Sequence, residues 1–168
     1  MCMLFKNLKK RRNFEKECKE ARDKQQITDS KLLYHFEGKK VIYSTDFLRK
    51  NHTIIAGMTG RGEIIVDNYF MELPKNVQKA VLSHEVGHLV YAEAINRPAS
   101  EQAIRTFEEE TFADAYGLEL GLTVEDIIEC LISIKTCLYE KCGIRKNTEL
   151  TKRILHFKNI LRFSKNTK

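Results

Sequence analysis

The chain has 168 residues, 42% of them hydrophobic and 31% charged, which is material for one domain with a real core and argues against wholesale disorder. No apolar run approaches the roughly 20 residues that cross a bilayer. The opening Met1-Cys2-Met3-Leu4-Phe5 runs into Lys9-Lys10-Arg11-Arg12 rather than a signal-peptide core, so a cytoplasmic chain is expected.

The formal charge of +6 is uneven: residues 1–24 carry nine Lys and Arg against four Asp and Glu, and residues 145–168 eight against one. Between them the balance reverses, twelve against eighteen. An acidic middle between basic ends is the opposite of a nucleic-acid-binding core, and it suits a site for a divalent cation. Cys2, Cys18, Cys130, Cys137 and Cys142 follow no disulfide or zinc-ribbon spacing and read as reduced thiols.

In chain order, residues 5–26 have high helix propensity but a sparse apolar stripe and read as a charged surface helix. From Lys31 to Phe70 the composition turns β-branched and aromatic, and three short strands are expected: Val41–Tyr43, Thr53–Ala56 and Glu63–Asp67. The glycine-rich stretch Gly57–Gly62 suits a hairpin turn between the last two. After Pro74, Val77, Val81, Leu82, Val86, Leu89 and Val90 recur at helical steps, predicting a helix over 75–92. Ser100 is the expected cap of a second helix, ending near Leu120 at Gly121. Thr123 and Asp126 open a third, to about Cys142. A last helix from Thr148 to about Phe163 places Leu150, Ile154, Phe157 and Leu161 on one face. Lys152, Arg153, Lys158, Arg162 and Lys165 are expected on its solvated face. The result is one α+β domain over 1–168, with basic helical ends at 1–26 and 145–168.

The informative residues are His84-Glu85-Val86-Gly87-His88. Positions four apart on a helix differ by about 40° and rise about 6 Å, so both imidazoles leave one face and can converge on one cation. Zinc suits such neutral nitrogen ligands, and Glu85 can touch a water at the metal without ligating it. The small Gly87 allows close approach by a neighbouring element. A catalytic zinc usually takes three protein ligands and keeps a position for water. Downstream, Glu108-Glu109-Glu110 precede Asp114; Glu110 and Asp114 are four apart and share a face. Glu110 can complete the set, with Glu109 the next candidate, and Asp114 can orient a ligand histidine through its second ring nitrogen.

His-Glu-Val-Gly-His at 84–88 followed by Glu110-Thr-Phe-Ala-Asp114 resembles the gluzincin metallopeptidases. The Glu-x-x-x-Asp second motif is similar to that of the HtpX and CAAX-prenyl-protease group, and the compact layout resembles the ImmA/IrrE-type peptidases. The resemblance spans about residues 63–121. The membrane helices of the first group and the Leu-Leu-x-Pro ending of the second are absent. It implies a zincin-like fold: a small, mostly antiparallel sheet, an active-site helix and several packed helices. It also implies one zinc per chain and hydrolysis of a peptide or protein substrate. Water activated by the metal, with Glu85 as general base, is the expected chemistry. Strand Glu63–Asp67 is the expected edge for an extended substrate.

Tyr69, Tyr91, Tyr116, Tyr139, Arg105 and His156 are the candidate donors to an oxyanion, and none is singled out. His35 and His52 have no ligand partner at useful spacing. The rival reading is a catalytically idle zincin-like module that binds or regulates, contacting nucleic acid through its basic ends. A structural zinc site needs no general base, and Glu85 argues for the enzyme.

Overall fold

The computed structural model describes residues 30–44, 55–59, 61–95, 106–143 and 146–166. The expected N-terminal helix, Ser100, Arg105 and His52 lie outside these residues. The described elements are four strands and five helices: β1 (Lys31–Phe36), β2 (Lys39–Tyr43), β3 (Ala56–Met58), β4 (Ile64–Val66), α1 (Asn68–Glu72), α2 (Lys75–Ala94), α3 (Phe107–Glu119), α4 (Val124–Cys142) and α5 (Thr148–Asn166). The fold class is α+β.

The sheet is mixed, in the order β1-β2-β4-β3. β1 pairs antiparallel with β2, and β3 with β4, while β2 and β4 run parallel. β4 lies inside the sheet, with Val41–Tyr43 on one side and Ala56–Met58 on the other. Ile64, Ile65 and Val66 are wholly buried, as an unbroken apolar run inside a sheet should be. The expectation that Glu63–Asp67 forms a substrate edge is therefore corrected: its backbone groups are taken by two neighbours, and the edge beside it is β3.

β3 also begins later than expected. Ile55 has φ 78°, outside the β region, so the strand starts at Ala56. The expected hairpin between β3 and β4 is present, closed by Thr59 N–H to the Glu63 carbonyl at 2.9 Å.

Asp67 caps the short α1 by accepting from Phe70 N–H, and Phe70 is buried in the core. α2 presents Val77, Val81, Leu82 and Val86 to the sheet residues Val41, Ala56, Ile64 and Val66. α3 starts at Phe107 rather than after Ser100, because Thr106 is extended and its side chain accepts from Glu109 N–H at 3.1 Å. α4 carries the full capping box of Thr123 and Asp126 and ends at Gly143, whose φ of 67° suits glycine. A second apolar cluster joins α4 and α5 through Ile127, Ile128, Leu131, Leu150, Ile154 and Phe157. No described helix is long and apolar enough to cross a membrane.

Candidate metal centre

The site is assembled where α2 and α3 touch. A Cβ on Gly87 would lie 2.7 Å from Ala113 Cα and 2.8 Å from the Ala113 carbonyl oxygen, closer than real atoms come. Glycine alone lets the two backbones approach this far. That contact sets the His84–His88 face of α2 against the first two turns of α3.

One helical turn apart, the imidazoles meet edge to face, with their Nε2 atoms 3.0 Å apart. Each ring is backed by a carboxylate. Asp114 Oδ1 lies 2.8 Å from His84 Nδ1, and Glu109 Oε1 lies 3.2 Å from His88 Nδ1. A carboxylate accepts, so in the neutral rings Nδ1–H donates and both Nε2 lone pairs face the same space. Lone pairs this close repel unless a cation or proton lies between them.

Glu110 closes the third side. Its Oε1 is 3.6 Å from His88 Nε2 and its Oε2 3.7 Å from His84 Nε2. One ligand atom from each of His84, His88 and Glu110 lies within 4.8 Å of the others, so the group could hold a metal ion. Donors about 2.0–2.2 Å from a tetrahedral cation sit about 3.3–3.6 Å from one another. The imidazole nitrogens are 3.0 Å apart, and each lies 3.6–3.7 Å from one or the other Glu110 oxygen, distances on the scale a shared cation requires.

Glu85 faces away from solvent, 5% exposed, and among the described residues its buried Oε2 has no hydrogen-bond partner. An ionised buried oxygen with no donor is costly. A water held between this oxygen and a cation would satisfy it.

The structure thus gathers His84, His88, Glu110 and Asp114 at one place, with Glu85 near enough for its charge to act on His84. Glu109 differs from its expected role as the alternative ligand. Neighbouring helix positions point about 100° apart, and Glu109, 2% exposed, turns behind His88 instead of beside Glu110. Glu108 is exposed.

A larger correction concerns Arg153. Far from lying on a solvated face, it is 6% exposed and reaches the centre from α5. Its Nε donates to Asp114 Oδ2 at 2.7 Å, Nη2 to Asp114 Oδ1 at 2.5 Å, and Nη1 to Glu110 Oε2 at 2.5 Å. The signal was in the sequence: Arg153 falls three residues after Leu150 and four before Phe157, on the apolar stripe itself.

These contacts govern the protonation of the centre. Burial pushes the His84 imidazole down, but the hydrogen bond and charge of Asp114, helped by Glu85, outweigh it and hold its pKa above the ordinary value. Burial raises the Asp114 carboxyl, and His84 and Arg153 together bring it below the usual range. Burial lowers Arg153, and Asp114 and Glu110 more than restore it.

The remaining candidates are placed elsewhere or in packing roles. Tyr91 packs its ring on Phe112, Tyr116 and Tyr69 pack against the core, and Tyr139 is exposed on α4. His156 sits between Phe107 and Phe157. His35 is exposed on β1, paired with Lys40. Cys130 is a buried thiol pushed up to about 12, chiefly by burial, and is inert at neutral pH.

Comparison with protein-family models, with curated proteins and with solved structures returns no match for this chain.

Proposed function

We propose that this protein is a zinc-dependent metallopeptidase, with one zinc held by His84, His88 and Glu110 and with Glu85 as the general base. The observation that carries the reading is the buried Oε2 of Glu85, without a hydrogen-bond partner among the described residues, on the helix that brings His84 and His88 to a group with Glu110. A structural metal site has no use for such an oxygen, whereas a hydrolytic one requires an acceptor for a proton of water. When bound, the metal would supply Lewis acidity toward a water and a substrate carbonyl.

Each of the residues around the site has a defined task in this scheme. Asp114 and Glu109 hold the two imidazoles with Nδ1 protonated and Nε2 turned inward. Glu85 takes a proton from water at Oε2 and hands it to the leaving amine. β3, which pairs on one side only among the described residues, offers main-chain donors and acceptors to an extended peptide. Its packing partner is α2, which carries the two histidines.

The test is a metal assay beside a cleavage assay on an unbiased peptide library. The purified chain is expected to hold about one zinc and to cut peptides, and Glu85→Gln to keep the zinc while losing cleavage. A Glu85→Gln protein that cleaves at the wild-type rate would refute the mechanism. A zinc-loaded wild type that cuts nothing in the library would favour a binding module instead.

A further inference from the structure

α5 turns one side to the protein and leaves the other in water. Leu150, Ile154 and Phe157 are buried against α4. At about 100° per residue, Leu155, Phe163 and Ile160 fall within about 140° of one another, away from that stripe. They are 55%, 70% and 39% exposed, Phe163 even though it keeps a contact of its own. The apolar surface does not end with the helix. His156, in the same sector, meets the ring of Phe107 on α3 edge to face at 6.0 Å, and Phe107 is itself 41% exposed. A single exposed leucine is ordinary, but a face shared by two helices is a patch. Cations flank it. Lys158, Arg162 and Lys165 follow at four- and three-residue steps along the adjoining sector, and Lys152 stands three residues before Leu155, all four exposed. Lys152 and Lys165 reach Glu149 and Glu125 only at 4.0 and 3.7 Å, while Lys158 and Arg162 have no acidic partner among the described residues.

We propose that this face of α5, continued by Phe107, docks the protein on an anionic lipid surface. Leu155, Ile160 and Phe163 enter the boundary of the acyl chains, and Lys158, Arg162 and Lys165 lie among the headgroups. The combination selects the partner. A nucleic acid would engage the cations and leave Leu155 and Ile160 nothing apolar to enter. A second copy of the chain would cover the apolar residues but bring like charges together. A lipid surface uses both. The long stems of Lys and Arg can lie along the apolar side chains while their charges stay with the headgroups. With eight Lys and Arg against one acid over residues 145–168, the attraction extends beyond the three named cations. No described helix is long and apolar enough to cross a membrane, so α5 lies on the surface. Attachment of this kind needs no metal and stands apart from the reading above.

The test is co-sedimentation of the purified full chain with lipid vesicles. Vesicles of phosphatidylcholine mixed with phosphatidylserine are expected to carry the protein down, pure phosphatidylcholine to leave most of it in solution, and added salt to release it. Lys158→Gln combined with Arg162→Gln should lower the partition by about 10–30-fold. Leu155→Ser combined with Phe163→Ser should lower it by about 10–100-fold. All four positions are exposed, and melting temperatures near that of the wild type would confirm that the fold is kept. A wild-type chain that ignores both kinds of vesicle overturns the proposal, and that result needs no variant. Equal uptake by the two compositions overturns it as well. So does a chain that leaves the vesicles alone and instead binds a duplex oligonucleotide through Lys158 and Arg162, or pairs with its own copy through Leu155 and Phe163. Zinc content and peptide cleavage are scored separately, and a failure there leaves the lipid result standing.

Discussion

Gly87→Ala asks whether the two helices that carry the candidate ligands must touch. The added methyl would lie 2.7 Å from Ala113 Cα, 2.8 Å from its carbonyl oxygen and 3.1 Å from Tyr116 Cβ. The first two are backbone atoms, so no change of rotamer relieves the clash. Restoring an ordinary carbon contact of about 3.5–4.0 Å parts the helices by about 1 Å. Overpacking of this kind costs roughly 1–3 kcal/mol, and the better helix propensity of alanine offsets up to about 1 kcal/mol of it. A net loss of about 1–2 kcal/mol in a chain this size lowers the melting temperature by about 2–8 °C.

The centre suffers more than the fold. The 2.8 Å contact of His84 with Asp114 would stretch beyond hydrogen-bond length, and metal sites tolerate deviations of only about 0.2 Å. Loosening the group that holds a ligand histidine costs about 10–100-fold, read as zinc affinity by chelator competition. Gly117→Ala is the control. Its Cβ would meet Leu122 Cδ1 at 2.8 Å, the end of a side chain that can swing aside, and zinc affinity should hold. A Gly87→Ala protein that binds zinc as tightly as the wild type would refute the close-contact argument.

Glu109→Ala should weaken zinc binding by about 10–100-fold through a loosened His88, while Glu108→Ala, at an exposed position, should be silent; calorimetric zinc titrations giving the reverse order would reverse the assignment. The metal-free protein should lose stability as pH rises. Because His84 is held above its ordinary 6.5, its pairing with Asp114 contributes fully below pH 6.5 and fades as pH climbs through the raised value. The zinc-loaded protein should respond in the opposite sense, since the metal displaces that proton; melting curves with and without a chelator that share one slope would contradict this. At the acid end, the lowered Asp114 contributes stability above 3.8 that is lost as pH falls through its depressed value.

The helical half of the molecule was legible because its signals are local. The apolar steps of Val77, Val81, Leu82 and Val86 give α2, and Thr123 with Asp126 gives the start of α4. The His84–His88 spacing places both rings on one face before any tertiary contact is known. β1 escaped notice because Leu32, Tyr34 and His35 are exposed and the strand has no alternation; it is held by backbone pairing to β2. α1 is five residues long, too short for a period, and depends on the Asp67 cap. The position of β4 in the sheet rests on a parallel pairing with β2, a non-local choice that no run of residues encodes. Arg153 was missed for another reason. Charge alone suggested solvent, while its place on the stripe of Leu150, Ile154 and Phe157 said burial; position decided, because Asp114 and Glu110 supply the partners that a buried guanidinium needs.

The two apolar clusters have a consequence for how the molecule comes apart. One is built on the sheet and α2 and reaches Cys130 of α4, the other on α4 and α5; Ile134 packs against both. Between α2 and α5 the connection runs through polar groups, from His84 by way of Asp114 to Arg153. Apolar contact is insensitive to ions, but this bridge answers to whatever occupies the histidines. An ion bound there would act on cooperativity: with the histidines occupied, the α4–α5 pair is expected to open less readily ahead of the rest.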